Sequence, residues 1–341
     1  MEFRNSKSEI ENRKSKILFV HNHLATFVRT DRELLAEKYR VREWFQRGRA
    51  VNLVALQRAV ASSDLVFGWF ASWHTFFPIL LASRMCKPAI LVVGGYDSAN
   101  LPEIAYGSMR GGFKRRIAQT TMRRATQLIT HSEFTRREVI QSVGIPAEKI
   151  EVIYLGFPPK PTTSILKEKM VLTIGNVLRE NLLRKGIAPF VRAASELSDI
   201  PFWVVGRWSD DAIAELKSIA SPNVTFTGFV DENVLDSLLT RAQVYVQASL
   251  HEGFGSAVAE AMLYECIPVV TRAGSLPEVV GDAGIYAESN KPQGLARAIQ
   301  HALTLDASWG ERARERIIQE FPMDARREKL FCLIDRLLAD V

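Results

Sequence analysis

Two carboxylates flank a glycine-containing turn in the stretch VYVQASLHEGFGSAVAEAMLYECIPVV, residues 244–270. Glu252 stands before the turn GFG, and Glu260 stands in the helix-like run that follows it. The glycines allow positive φ and a close approach of a ligand to the backbone. A helix that begins near Ser256 offers free N–H groups to a phosphate, whereas carboxylates accept hydrogen bonds from paired hydroxyls. Alternatively, the turn is only a turn and Glu260 is an exposed helix residue.

Two further loops carry groups that suit a diphosphate. Arg179, Arg184 and Lys185 crowd the segment TIGNVLRENLLRKGI after a strand-like run, where they would clamp phosphate oxygens. In TRAGSLPEVVG, Gly274 and Ser275 would offer backbone donors at another strand-to-helix turn. Read in isolation, the first of these loops is equally a solvated basic turn. The three loops together predict a nucleoside diphosphate site with a polyol beside it.

Both halves of the chain alternate short β-branched runs with longer amphipathic stretches, which is typical of parallel α/β sheets. The strand-like runs are KILFV, DLVFGWF, AILVV, QLIT and IEVIYL, then MVLTIGNV, FWVVG, NVTFTGFV, VYVQAS, IPVVTR and GIYA. We therefore predict an α/β protein with two Rossmann-like parallel sheets in tandem. Because ligands of such sheets bind beyond the carboxyl ends of the strands, we expect the two halves to face each other across a cleft.

Composition shifts mark the boundaries between these halves. The Pro-rich segment GFPPKPTTSILKEK breaks the periodicity and reads as a linker. The end of the chain has helical spacing of apolar residues at Leu330, Leu333, Ile334, Leu337 and Leu338. The predicted organisation is a flexible tail at 1–15, a first domain at 16–158, a linker at 159–169, a second domain at 170–322 and a C-terminal helix at 323–341.

Several motifs of the second half are those of one family. EGFGSAVAEAM with its E-x7-E spacing, IPVV and GSLPEVVGDAG, together with SEFTRREV of the first half, make the chain resemble the retaining glycosyltransferases of family four. That resemblance implies the GT-B fold, with a C-terminal helix that packs back on the first domain. It also implies a metal-independent hexosyltransferase whose donor substrate is a nucleotide diphosphate-sugar and which needs no further cofactor. Cations and a helix dipole would stabilise the departing diphosphate.

The resemblance implies roles for individual residues as well. Glu252, Lys185 and Arg179 would be the catalytic group, with Glu252 holding the donor sugar and the two cations neutralising the diphosphate. Glu260 would bind the ribose, and the loop at Val230 would cover the base. The complete set of residues expected to bind the donor is Gly253, Phe254, Gly255, Ser256, Glu260, Val230, Gly274 and Ser275.

The first half departs from the family pattern. The family turn HGxD reads GGYD here, so Gly94 stands in the place of the histidine. Asp97, Tyr96 and His74 are the candidate residues on the acceptor side. Asp97 fits an Asx-type turn equally well, and His74, between two aromatic residues, fits a packed core position. The histidines have no metal-ligand spacing, so no metal site is predicted.

The formal charge of +6 is unevenly distributed. Residues 1–160 hold 25 Lys and Arg against 14 Asp and Glu, whereas residues 161–341 hold 19 against 24. Attraction to an anionic membrane surface explains the basic half, and the basic helix 113–124 would either lie on such a surface or be solvated. No nucleic-acid motif accompanies the charge, so nucleic acid is not an expected partner.

Three scattered cysteines, a polar start and no apolar run long enough to span a membrane indicate a cytoplasmic protein, with peripheral contact to the membrane face as an option. The leading hypothesis is a retaining glycosyltransferase that moves a sugar to a hydroxyl of a glycan or lipid-linked acceptor. A nucleotide-sugar epimerase on the same plan is one alternative. A catalytically degenerate protein that binds a nucleotide sugar or serves as a scaffold is the other.

Overall fold

The computed structural model describes residues 14–161 and 166–340. Most of the predicted tail, part of the predicted linker and the last residue lie outside the described residues. The described chain forms two compact units. The first unit contains the chain up to Pro102, Gly107–Tyr154 and the end from Asp324, and the second contains Glu103–Tyr106 and Leu155–Met323.

The first unit is built on a six-stranded parallel sheet in the order β2-β1-β3-β4-β5-β6. Its strands are β1 Lys16–His21, β2 Arg40–Phe45, β3 Leu65–Trp69, β4 Ala89–Val93, β5 Gln127–Thr130 and β6 Ile150–Val152. The helices are α1 Thr26–Lys38, α2 Leu53–Ala61, α3 Trp73–Arg84, α4 Gly95–Ser98, α5 Gly112–Arg124 and α6 Glu133–Val143. Strands β3 and β4 are buried along their whole length, as strands covered by helices on both faces must be.

Strand β2, which is not among the strand-like runs predicted from the sequence, lies at the edge of this sheet. Its sequence RVREWF contains three charged residues, and all six of its residues are exposed or half-buried. It pairs with β1 alone, from Lys16 opposite Arg40 to His21 opposite Phe45. An edge strand lacks the continuous apolar run of a central strand, and charged side chains protect its open side.

The second unit is also built on a six-stranded parallel sheet, in the order β12-β11-β10-β7-β8-β9. Its strands are β7 Glu168–Ile174, β8 Phe202–Val205, β9 Val224–Gly228, β10 Ala242–Gln247, β11 Ile267–Val270 and β12 Ile285–Tyr286. Its helices are α7 Arg179–Arg184, α8 Ile187–Ala193, α9 Ala212–Ile219, α10 Glu232–Arg241, α11 Ser256–Leu263, α12 Leu276–Val280, α13 Pro292–Thr304 and α14 Ala307–Glu320. All six strand-like runs predicted for this half are strands.

Local sequence fixes where several helices begin and end. Ser132 and Asp231 are N-caps whose side chains accept hydrogen bonds from the third residue beyond, at Thr135 and Val234. Gly144 ends α6 in the left-handed conformation that glycine tolerates best. These caps explain why the helices follow their strands within a few residues and leave short loops at the carboxyl edges of the sheets.

The C-terminal helix, α15 Met323–Ala339, packs in the first unit, as expected. Leu330, Leu333 and Ile334 are buried on its inner face. Arg326 donates to both carboxylate oxygens of Asp31, with N–O distances of 2.7 and 2.8 Å. The same guanidinium donates to the backbone carbonyls of residues 153 and 154, where the chain leaves this unit.

Each sheet has one point at which its connections turn in opposite directions. In the first sheet it lies between β1 and β3, and in the second between β7 and β10. Ligands of open parallel sheets bind at the carboxyl ends of the strands beside such a point. Lys185 follows the short helix α7 in the connection between β7 and α8, and Glu252 lies in the loop after β10, so both stand in connections that leave this position of the second sheet.

Candidate active site

Glu252 is held by a chain of side-chain hydrogen bonds in the loop after β10. Gln247 Nε2 and Ser249 Oγ both donate to Glu252 Oε1, each at 2.9 Å. The hydroxyl of Tyr245 in turn donates to Gln247 Oε1 at 2.8 Å. The side chain of Glu252 is 12% exposed, and none of the described residues donates a hydrogen bond to its second oxygen, Oε2. One oxygen is therefore fixed by the protein and the other is left for a ligand.

Lys185 places a positive charge beside this carboxylate. Its Nζ lies 3.7 Å from Glu252 Oε1. Burial alone would raise the pKa of Glu252, but the charges of Lys185 and Arg184 and the hydrogen bond from Ser249 outweigh it, so the pKa lies below its ordinary value. Glu252 is therefore an ionised acceptor of hydrogen bonds at neutral pH.

The backbone joins the loops that carry these two groups. Gly186 has φ +68°, and a Cβ at this position would lie 2.1 Å from the carbonyl oxygen of Ala248. The N–H of Leu250 donates to the carbonyl of Arg184 at 2.7 Å. Only glycine permits this close approach. The glycine of the RKG turn thus brings Lys185 against the loop of Glu252.

Arg179, the second cation expected from the sequence, lies elsewhere. Its guanidinium donates to Asp211 Oδ1 at 2.9 Å and to Glu215 Oε2 at 3.1 Å, and its backbone N–H donates to Asp210 at 2.8 Å. These acids belong to the segment after β8 and draw the side chain toward them. Arg179 is thus bonded to acids of the second unit, and its catalytic role stays a prediction. Arg184 is the arginine whose charge lowers the pKa of Glu252.

Arg184 packs on an aromatic ring that sequence reasoning did not single out. Its guanidinium lies 4.6 Å from the ring centroid of Tyr106, a favourable distance for a cation over an aromatic face. The ring of Tyr106 is also 5.5 Å from that of His251, the residue before Glu252. Tyr106 comes from the first half of the sequence but belongs to the second unit. Only its position in the fold reveals it.

The turn after Glu252 leads directly into α11. Gly255 has φ +97°, and a Cβ there would lie 2.9 Å from a methyl group of Leu276. No side chain caps the first turn of α11, which begins at Ser256, so its N–H groups remain for a ligand. The ring of Phe254 is buried against Phe157 and Phe321, with centroid distances of 5.9 and 5.4 Å. Its expected contact with the donor stays a prediction.

The loop after β11, which contains Gly274 and Ser275, contacts the backbone of Glu252. The N–H and the hydroxyl of Ser275 both donate to the backbone carbonyl of Glu252, each at 3.1 Å. A Cβ at Gly274 would lie 2.3 Å from the same oxygen. The N–H of Ser275 is thus already engaged within the protein, where it helps to position Glu252. The expected contact of Gly274 and Ser275 with the donor stays a prediction.

Glu260 lies half-buried on α11 and differs from Glu252 in its surroundings. Burial raises its pKa to about 7; the charge of Lys160 opposes this rise, and those of Asp236 and Glu232 add to it. Lys160 Nζ lies 3.8 Å from Asp236 and 3.9 Å from Glu232. None of the described residues donates a hydrogen bond to Glu260, so its carboxylate is available to the hydroxyls of a ligand.

Val230 lies in the loop between β9 and α10. It lines an open cavity of about 480 Å³ together with Trp203 and Val234. Its neighbour Phe229 is 71% exposed, with the guanidinium of Arg207 at 5.2 Å from its ring centroid. Flat aromatic and guanidinium groups suit a nucleobase, so this loop agrees with the expectation for Val230 in chemistry.

Two of the residues expected on the acceptor side are buried in the first unit. Asp97 is 3% exposed and accepts hydrogen bonds from the backbone N–H groups of Gly94, at 2.8 Å, and Ala71. His74 is 4% exposed, and its Nε2 lies 2.7 Å from the carbonyl oxygen of Trp69. Both side chains are therefore bonded within the fold, and Tyr96 is half-buried. The acceptor role expected of these three residues stays a prediction.

A metal site and a membrane-spanning helix are both absent from the described residues. In residues 14–161 and 166–340, no three or more His, Cys, Asp or Glu side chains are arranged to hold a metal ion. None of the helices within these ranges combines the length and apolar character needed to cross a bilayer.

Comparison with known proteins identifies the family. Residues 168–304 match the family model described as Glycosyl transferases group 1, and residues 15–160 match Glycosyltransferase Family 4. The chain is 29% identical over 210 residues to O-antigen chain mannosyltransferase B of Escherichia coli, covering 56% of this chain and 55% of that protein. It is 25% identical to MMP alpha-(1->4)-mannosyltransferase of Mycolicibacterium hassiacum, covering 64% of this chain and 56% of that protein. The chain thus spans just over half the length of these relatives.

Solved structures share the whole architecture at low identity. Anabaena HepE in complex with UDP and glucose superposes with a TM-score of 0.74 at 17% identity, covering 95% of this chain and all of that one. Sucrose-phosphate synthase of Thermosynechococcus elongatus gives 0.76 at 17% identity, covering 96% and 100%. With its two parallel sheets and with family matches over most of its length, the chain belongs to the group 1 glycosyl transferases of family 4 and has the GT-B fold.

Proposed function

We propose that the protein is a retaining hexosyltransferase that moves a sugar from a nucleotide diphosphate-sugar to a hydroxyl of a glycan or lipid-linked acceptor. The observation that carries this proposal is the fixed, ionised Glu252 with Lys185 at 3.7 Å from it. Mannose is the first sugar to test, because two of the relatives described above are named mannosyltransferases. A nucleotide-sugar donor is supported by HepE, whose structure contains UDP and glucose.

In the proposed reaction the cations act on the leaving group. Lys185 and Arg184 would neutralise the departing diphosphate, together with the uncapped N–H groups at the start of α11. Preorganised charges of this kind stabilise a developing anion without reorganising during the reaction. We therefore propose transfer that does not require a divalent metal ion.

Glu252 would bind the donor sugar and would not attack it. Its Oε2 would accept a sugar hydroxyl, while Oε1 is already occupied by Gln247 and Ser249. A carboxylate whose pKa is depressed by neighbouring cations is also a weak base and a weak nucleophile. The proton of the acceptor hydroxyl would therefore pass to the leaving phosphate, and attack from the same face would retain the anomeric configuration. Glu260 would accept the ribose hydroxyls farther along α11.

Transfer assays test this proposal directly. The protein would be incubated with radiolabelled GDP-mannose or UDP-glucose and with bacterial membranes or octyl α-mannoside, and NMR of the product would report the anomeric configuration. We expect a retained linkage, and a loss of at least ~100-fold in Glu252→Gln and Lys185→Ala, the effect typical of removing a charge-stabilising group. Exposed Glu288→Gln and Lys291→Ala serve as matched controls.

The outcomes separate the candidate functions. Full activity in Glu252→Gln and Lys185→Ala would contradict the site, and an inverted linkage would contradict the mechanism. Conversion of the nucleotide sugar with no acceptor present would favour an epimerase. Calorimetric binding of a nucleotide sugar, without transfer to any acceptor, would favour a sensing or scaffold role.

We further propose that the protein works in the cytoplasm and contacts an anionic membrane face through α5. Phe113 is 60% exposed at the start of this helix, and Lys114, Arg115 and Arg116 follow it on the exposed surface. Basic side chains beside an exposed aromatic ring suit the headgroup region of anionic lipid. Vesicles of phosphatidylglycerol should bind the protein at low salt more tightly than vesicles of phosphatidylcholine. Equal binding would contradict this contact.

A further inference from the structure

The loops after β1 and β3 flank the point at which the connections of the first sheet turn in opposite directions. Strand β1 ends at His21 and is followed by His23, and β3 ends at Trp69 and is followed by Phe70. Ligands of parallel sheets are bound at this position, beyond the carboxyl ends of the strands. His23 and Phe70 therefore stand at the position of the first sheet where a ligand is expected.

Phe70 has a backbone conformation that aromatic residues rarely adopt. Its φ is +68°. Its N–H donates to the carbonyl of Val92 at 2.8 Å, and its own carbonyl accepts the hydroxyl of Thr75 at 2.6 Å. Strained residues persist where neighbours fix them, and they cluster at functional sites. These bonds hold the Phe70 ring at the edge of the sheet.

The ring of Phe70 fills the space above Gly94. A Cβ at position 94 would lie 2.7 Å from Phe70 Cε1 and 3.0 Å from Cδ1. No side chain can therefore project from the first position of the GGYD turn while Phe70 keeps this conformation. The ring of His23 stacks on Phe70, with centroids 5.4 Å apart and an interplanar angle of 4°. An imidazole is thus present at this edge, but it comes from the loop after β1.

The hydrogen bonds of His23 define what it can bind. Its Nδ1 lies 2.7 Å from Asn22 Oδ1, which is an acceptor, so Nδ1 carries the hydrogen and Nε2 carries the lone pair. Among the described residues, none bonds to Nε2. Burial against its neighbours and the charge of His21 lower the pKa of His23, so the ring is neutral at pH 7. A neutral imidazole with a free lone pair accepts a hydrogen bond from a hydroxyl and does not attract an anion.

We propose that His23 binds the acceptor sugar by accepting a hydrogen bond from one of its hydroxyls at Nε2, and that Phe70 is the residue that positions it. This inference rests on the proposed function and deepens it. His23 supplies the imidazole at this edge, since the Phe70 ring on which it stacks occupies the space of a side chain at Gly94. The ligand class is a neutral sugar ring, whether it belongs to a free glycan or to a lipid-linked one.

Ligand-observed NMR tests this site without any reaction. Saturation transfer from the full-length protein to methyl α-mannoside and octyl α-mannoside would be measured, with the methyl α-glycosides of glucose, galactose and N-acetylglucosamine as further probes. We expect His23→Ala to raise Kd about tenfold, the effect of losing one hydrogen bond and its stacked ring. His23→Gln should stay within about threefold of wild type, because its amide oxygen also accepts a hydrogen bond. The Kd of Phe70→Leu should lie between those of His23→Gln and His23→Ala.

Two controls identify a specific effect. His301→Ala removes another exposed histidine, from α13, and should bind every probe as wild type does. Thermal stabilisation by GDP and UDP should be unchanged in His23→Ala, since His23 is outside the second unit. Equal dependence on His23 for the methyl and octyl mannosides would identify the sugar ring as the recognised group. A dependence confined to the octyl compound would overturn the inference in favour of contact with the alkyl chain.

The result separates this inference from the proposed function. Wild-type protein that binds a glycoside through His23 but transfers no sugar would contradict only the proposed function. Sugar transfer with the same acceptor KM in wild type and His23→Ala would contradict only this inference. Wild-type protein that gives no saturation transfer to any of the probes would also overturn it.

Discussion

Asp31 and Asp97 in the first unit and Glu252 and Glu260 in the second are four acids with restricted access to solvent, but their partners differ. Asp31 receives two hydrogen bonds from Arg326, and Asp97 receives two from backbone N–H groups. Both side chains are therefore hydrogen-bonded by groups of the fold. In contrast, Glu252 has one oxygen without a donor and Glu260 has no donor among the described residues.

This difference separates acids that stabilise the fold from acids that can bind a ligand. A buried carboxylate needs hydrogen-bond partners, and the groups that supply them reveal its role. In the first unit the partners belong to the protein, and the groups left open are the rings of His23 and Phe70. In the second unit the open groups are charged. The second unit thus offers charged groups to a ligand, and the first unit offers neutral and aromatic groups.

The largest effect that would sharpen this comparison is expected at Arg326. Arg326→Ala leaves Asp31 buried without its partner, and removal of one member of a buried ion pair costs about 3–5 kcal/mol. Urea denaturation of the full-length protein should show the loss in the transition of the first unit. Arg327→Ala removes a half-buried arginine that pairs with Glu37 and Asp324 at the surface of the same helix, and it should cost less than about 1 kcal/mol. Similar losses for the two variants would show that Asp31 does not depend on its partner.

The second prediction sets Arg184 against Arg179. Arg184 acts on Glu252, whereas Arg179 is held by Asp211 and Glu215 on the exposed surface. Arg184→Ala should therefore lower kcat of the proposed transfer by about 100-fold, as expected when a charge that stabilises a leaving group is lost. Arg179→Ala should stay within about threefold of wild type. A larger loss of kcat in Arg179→Ala than in Arg184→Ala would instead support the catalytic role predicted for Arg179.

Sequence predicted the second unit better than the first for a physical reason. Each strand of the second unit coincides with a strand-like run of the sequence, and its loops carry short motifs. HEGFGS contains Glu252 and Gly255, and RKG contains Lys185, so each motif can be identified within a few residues. Strand β2 was missed because an edge strand is half exposed. Tyr106 was missed because it joins the site from a distant part of the chain.

Some local contacts have no sequence signal even where the motif is identified. The spacing of Arg179 from Lys185 does not reveal that three acids after β8 bind its backbone and side chain. Nor does the sequence GSLP show that Ser275 donates to the carbonyl of Glu252. The positive φ of Phe70 has no sequence signal at all, since that conformation is expected of glycine. Direction of a side chain is decided by tertiary contacts.

A smaller effect tests whether Phe70 and Gly94 form a coupled pair in the first unit. Gly94→Ala would place a Cβ 2.7 Å from the Phe70 ring and should destabilise the protein by about 1–3 kcal/mol, the cost of overpacking. In a Phe70→Gly background the same substitution should cost less than about 0.5 kcal/mol, because the ring and its strained φ are both removed. Equal costs in the two backgrounds, measured by thermal denaturation, would mean that the ring does not exclude a side chain at 94.

The smallest predicted effect concerns stability. The contributions of Glu260 and Glu252 to the unfolding free energy should change with pH in opposite directions. Burial raises the pKa of Glu260 to about 7, above its ordinary value of 4.5, so the folded protein binds more protons between these values and loses stability as the pH rises through them. Glu260→Gln should therefore match wild type at pH 5 and exceed it by about 1–2 kcal/mol at pH 8.

Glu252→Gln should behave in the opposite way, because the pKa of Glu252 is lowered by its cations and its contribution is present above pH 4.5 and lost at lower pH. This variant should be less stable than wild type at pH 8 and closer to it in acid. Burial raises the pKa of Asp97 to about 7 as well. Asp97 is present in wild type, Glu260→Gln and Glu252→Gln, so its contribution cancels from the differences in unfolding free energy. Parallel pH profiles of unfolding free energy for wild type and Glu260→Gln would show that Glu260 has a partner in solution and is not kept open for a ligand.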